Sequence, residues 1–125
     1  MGYRSDVLFR AETNGDEFKE IFLKLTMTEP KWLQELLALS VAADFEDFHF
    51  DKTGLLIYLE QWKWNDSYKD VVIVQEAITY FEDETEVMEN LNTCFCRMGD
   101  ETDDIEENYF NAGWDLGSVT RSIIY

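Results

Sequence analysis

Basic residues are scarce in this chain: ten Lys and Arg stand against 27 Asp and Glu, for a formal net charge of -17. A surface so negative repels phosphate backbones and anionic lipid, and attracts basic protein surfaces or divalent cations. Histidine occurs once, as His49 between Phe48 and Phe50. A lone histidine at a strand position is more often packed or superficial than catalytic, and no second one exists to complete a nucleophilic triad. The six glycines never form GxGxxG or GxxxxGK[ST], so the backbone-amide cradle for a phosphate is missing. The longest uninterrupted apolar run is residues 55–59, far too short to span a bilayer. Residues 1–7 carry Arg4 and Asp6 where a secretory signal needs an apolar run. Asp6 also stands where a myristoylation motif beginning at Gly2 wants Ser or Thr.

The only two cysteines, Cys94 and Cys96, would share one face of a strand in a geometry unfavourable for bridging each other. They read as reduced thiols, which suits a cytoplasmic protein. No repeat, linker or low-complexity segment divides the 125 residues, and the length is that of one domain spanning 1–125. An apolar content of 46%, with four Trp, six Tyr and nine Phe, is too rich for a disordered acidic tail. The acid therefore decorates a folded object. It is also concentrated: residues 82–115 carry twelve carboxylates and one base, Arg97.

Periodicity supplies the elements. Val7, Phe9 and Ala11 alternate with polar or outward positions as in a strand, and Asn14 and Gly15 end it. Phe18, Ile21, Phe22 and Leu25 form a helical stripe that stops near Thr28. Pro30 suits the first position of a second helix with a stripe of Leu33, Leu36, Leu37 and Ser40, and Trp32 at its edge. Residues 45–51 and 55–64 read as a hairpin around Lys52, Thr53 and Gly54. Ser67 suits an N-cap, with Asp70 three residues on, for a helix buried through Val71, Val74, Ile78 and Phe81. Residues 92–98 read as a strand, Thr102 caps a short acidic helix to about Phe110, and residues 118–125 form a last strand. The order predicts an α+β fold: one mainly antiparallel sheet of about five strands with helices on one face. It is related to the ferredoxin-like β-α-β-β-α-β arrangement plus an extra C-terminal strand.

Chemistry has little to build on. From Asp100, the sixth and twelfth positions of a calcium loop would be Ile105 and Asn111, where Gly and Glu are required. We expect no cofactor, no catalytic residue and no metal ligand. A sheet face joining Arg10, Arg97 and Arg121 with Phe95, Tyr125, Trp62 or Trp64 would look like an RNA-binding surface, but the net charge opposes it. Nucleic acid and membrane are therefore not expected as direct partners. The candidate partner-binding residues are the acids Asp100, Glu101, Asp103, Asp104, Glu106 and Glu107, together with the aromatics Tyr109, Trp114, Trp62 and Trp64, which occupy polar or turn contexts.

Three segments point further: Met1-Gly2-Tyr3-Arg4-Ser5-Asp6-Val7, Trp62-Lys63-Trp64-Asn65-Asp66-Ser67-Tyr68, and Arg97-Met98-Gly99-Asp100-Glu101-Thr102-Asp103-Asp104-Ile105-Glu106. Together they resemble a group of small acidic proteins of unassigned function encoded by tailed phages and prophages. The resemblance implies an accessory protein acting in the bacterial cytoplasm and carries no catalytic residue across. The expectation is a non-enzymatic protein whose acidic face competes for a basic, often DNA-binding, surface of a host protein, as DNA mimics in anti-restriction and anti-CRISPR defence do. The alternative is a structural module that forms a homodimer through an exposed edge such as residues 118–125.

Overall fold

The computed structural model describes residues 4–13, 16–42, 45–65, 67–86, 91–99 and 105–110, the last three of these by backbone alone. The elements run β1 (Arg4–Thr13), α1 (Phe18–Thr28), α2 (Lys31–Ala42), β2 (Asp47–Asp51), β3 (Gly54–Lys63), α3 (Lys69–Glu84), β4 (Leu91–Met98) and β5 (Ile105–Phe110). Five strands form one antiparallel sheet in the order β2-β3-β1-β4-β5. The class is α+β, as the order of elements predicts.

Alternation along β1 divides the sheet. Val7, Phe9 and Ala11, with Ile57 and Leu59 of β3 and Phe95 of β4, face the three helices and form one core with Phe18, Leu25, Leu36, Val74 and Phe81. Each of the Val, Leu, Ile and Phe side chains among them contributes about 1.5–3 kcal/mol on burial. Aromatic rings knit the centre: Phe81 lies 6.3 Å from Phe9 and 6.0 Å from Phe18, the latter pair stacked. On the opposite face Leu8, Cys94 and Cys96 are buried as a smaller cluster against Leu56, Tyr58 and Met98. Both cysteines are free thiols, as their spacing predicts.

Where local signals compete, the structure departs from the periodicity. Tyr68, not Ser67, occupies the α3 N-cap position, and no side chain caps it. The Asn65 carboxamide accepts from the Ser67 amide at 2.9 Å, so an Asx-turn takes the donor that a capping box would have used. In α2 the buried stripe is Leu33, Leu36 and Leu39, while Leu37 is 41% exposed. The acidic helix expected to reach Phe110 is replaced over residues 105–110 by β5, because these residues pair in register with β4, from Met98 opposite Ile105 to Thr93 opposite Phe110. A free strand edge outweighs the modest helix propensity of the segment. The expected strand at residues 118–125 lies outside the described residues.

One irregularity positions the tryptophans. Val7 pairs with Leu59 and Ser5 with Trp62, so β3 carries one residue more than β1 between these pairs. Gln61 sits there in the left-handed region, with φ of 60°. Its amide donates to Asp6 Oδ1 at 3.0 Å, and its carbonyl accepts from Arg4 at 2.9 Å. This bulge reverses the alternation. Trp62 and Trp64 therefore turn inward with Leu59 and pack against the main core.

Candidate acidic groove beside the sheet

The reversed alternation brings Trp64 over β4, where its ring lies 6.3 Å from that of Phe95. Helix α3 passes alongside and lends Gln75, Ile78, Thr79 and Glu82, and β5 adds Glu106. The result is a groove of about 270 Å3. Two carboxylates from distant parts of the chain thus share an opening that has an aromatic wall. Glu82, at the last turn of α3, has its carboxyl pushed above the ordinary range by burial, and further by the neighbouring charge of Asp83. Glu106 accepts from Arg97 Nε at 2.8 Å while its side chain stays 56% exposed. Arg97 also donates to Ser5 Oγ at 3.0 Å, which ties the groove floor to β1.

Such a groove suits a cationic side chain. A lysine or arginine can lie over an indole face, gaining about 0.5–2 kcal/mol, while its head meets carboxylates. None of these lining residues is cationic.

The sequence-derived candidates separate in space. Trp64 and Glu106 come together in the groove, joined by Glu82. Glu107 points to the other face of the sheet, opposite Cys96, where its charge and the burial of the thiol act on the same group. Adjacent residues on a strand alternate faces, so Glu106 and Glu107 lie on the two sides of the sheet. Trp62 packs edge-on against Phe45 at 5.5 Å. Tyr109 pairs through its backbone with Cys94. Asp100, Glu101, Asp103, Asp104 and Trp114 lie outside the described residues. In the sequence Glu82 is one of the twelve carboxylates of residues 82–115, and nothing there links it to Glu106.

Arg10 and Arg97 lie on opposite faces of the sheet, and Arg121 and Tyr125 lie outside the described residues. Arg10 pairs with Cys94 on the side away from the helices, whereas Arg97 pairs with Val7 on the helix side. Arg10 is also engaged by Glu12 at 3.3 Å. A second groove, of about 420 Å3, runs along that outer face past Arg10, Asp47, His49 and Tyr58. His49 there sits 3.0 Å from Asp51 and 3.2 Å from Thr53, but both contacts use the same ring nitrogen, Nε2. The Thr53 hydroxyl donates to Asp51 rather than to the histidine. A triad needs the two ring nitrogens to face different partners. These contacts lock the β2–β3 turn, and the Thr53 hydrogen bonds hold the Asp51 carboxyl below its ordinary range. Among the described residues no group of three or more His, Cys, Asp or Glu could hold a metal ion. No described helix is long and apolar enough to cross a membrane.

No protein-family model, no curated protein and no solved structure matches the chain.

Proposed function

We propose that this protein is a non-enzymatic interaction protein that offers an acidic, aromatic-walled groove to a basic surface of another protein. In the phage or prophage setting that its sequence resemblance implies, the partner is a host protein in the bacterial cytoplasm. Competition for a DNA-binding surface, as in anti-restriction or anti-CRISPR mimicry, is the form of binding that a charge of -17 favours. The observation that supports the reading most is the meeting of Trp64, Glu82 and Glu106 in one groove. Charge and an aromatic face are thereby focused where a lysine or arginine can reach both.

The test is binding to arginine-rich and lysine-rich peptides, followed by tryptophan fluorescence at low and high salt. Binding should weaken steeply with salt. The double variant Glu82→Lys/Glu106→Lys should weaken it by about tenfold or more, and Trp64→Leu by a smaller factor. The set Asp100→Lys, Glu101→Lys, Asp103→Lys and Asp104→Lys measures what the remaining acids add. Binding that is indifferent to salt and to both charge reversals would sink the proposal.

A further inference from the structure

The surface least like the rest of this protein is the outer side of α1 and α2. Residues 16–42 carry five carboxylates and three lysines, a net of -2 in a chain of -17. They also carry four of the six large apolar side chains that are exposed among the described residues: Leu23, Met27, Leu37 and Val41. Met27 and Val41 are 83% and 88% exposed. Between the two helices and β2 lies a groove of about 500 Å3 lined by Phe22, Thr26, Glu29, Leu33, Leu37 and Phe50. Leu23 precedes the groove-lining Thr26 by one helical turn on α1, Met27 lies one turn beyond Leu23, and Val41 follows Leu37 by one turn on α2. The exposed side chains therefore extend the apolar lining of the groove onto both helices.

We propose that this helical face is a docking surface for a second copy of the chain. Charge selects the occupant. Two molecules of -17 repel each other most through the acid-rich residues 82–115, and the α1–α2 segment, at -2, adds little to that repulsion. The face carries both signs of charge: Lys19 and Lys24 stand with Glu20 and Glu29 on or beside α1, and Lys31 lies 3.7 Å from Glu35 of its own helix. A two-fold arrangement can set the lysines of one copy against the carboxylates of the other around an apolar centre, as isologous interfaces do. A strongly basic partner is drawn instead to the acid elsewhere on the molecule, and an anionic lipid surface is repelled by the molecule as a whole. The Trp64 groove lies on other elements, α3, β4 and β5, so the two surfaces are tested independently.

Sedimentation equilibrium from micromolar to millimolar protein, at low and high salt, reads this directly. The expected result is a monomer–dimer equilibrium that tightens as salt screens the net repulsion, opposite in sign to binding of a basic partner. Met27→Glu with Val41→Glu should weaken dimerisation by about tenfold or more. Both positions face solvent in the monomer, so far-ultraviolet circular dichroism of the variant should match that of the parent. Amide exchange gives a reading that needs no variant: α1 and α2 should exchange more slowly as concentration rises, while β5 does not change. The proposal is overturned by a parent protein that stays monomeric at millimolar concentration in high salt. It is equally overturned by a dimer that Met27→Glu/Val41→Glu leaves intact, or by binding to neutral phosphatidylcholine vesicles without dimerisation. Glu82→Lys/Glu106→Lys should leave the dimer in place whatever it does to peptide binding.

Discussion

Arg97 and Glu106 face one another across the β4–β5 pair, and the guanidinium Nε donates to the carboxylate at 2.8 Å. The arginine side chain is only 14% exposed and the glutamate 56%, so the two ends of the pair are not equivalent. Removing the more exposed end, by Glu106→Gln, should lower stability by less than about 1 kcal/mol, because solvent screens that carboxylate. Arg97→Ala removes the bond to Ser5 as well and should cost about 1–3 kcal/mol. Urea midpoints of the two variants check the order.

Glu29 follows α1 in the left-handed region, with φ of 45° and ψ of 58°, while its amide donates back to the Leu25 carbonyl. A side chain is strained there, and a negative charge at a helix C-terminus is unfavourable. Glu29→Gly relieves both and should raise stability by about 0.5–1 kcal/mol, net of the freedom that glycine adds to the unfolded chain. A thermal midpoint that falls would contradict this account of the cap.

A Cβ on Gly54 would sit 2.8 Å from the Ala11 carbonyl oxygen and 3.2 Å from Glu12 Cβ. Backbone cannot yield as a side-chain tip does. Gly54→Ala should therefore cost about 1–3 kcal/mol and loosen the start of β3 against the end of β1. Amide exchange at Leu55 and Ala11 reports the site of the damage.

Burial, aided by the charge of Glu107, pushes the Cys96 thiol up to about 11 from an ordinary value of 9.0. The folded state thus favours the neutral thiol. The resulting stability is complete below the unfolded value and is lost as pH rises through about 9 to 11. Alkylation of the native protein should be slow at neutral pH and limited by opening of the fold. Cys96→Ala should flatten the alkaline limb of the stability profile. A limb of unchanged slope would argue against this origin.

Elements whose burial repeats regularly were legible in the sequence: the β1 alternation, the Val71–Val74–Ile78–Phe81 stripe and the hairpin around Lys52, Thr53 and Gly54 all stand where the pattern puts them. The departures share one physical origin, competition from partners that the sequence does not display. Ile105–Phe110 has a weak local preference and becomes a strand because β4 offers an unpaired edge. Leu37 fits the helical period of the core as well as Leu39 does, yet α2 rolls so that Leu39 is buried and Leu37 lines a groove. Trp64 and Glu106 could each be singled out as candidates, but their meeting with Glu82 depends on how α3 crosses the sheet.

The extra residue at Gln61 ties the groove to the match between strand length and bulge. Trp64 reaches its place over Phe95 because the count of residues from Leu59 to Trp62 exceeds that from Val7 to Ser5 by one. Straightening the bulge with Gln61 still present would turn both tryptophans toward the opposite face, whereas deleting Gln61 removes the residue and the bulge together and leaves them facing the helices. A gap at position 61 should therefore keep the tryptophans on the helix side, while an inserted residue that the ladder does not absorb as a second bulge should expose them.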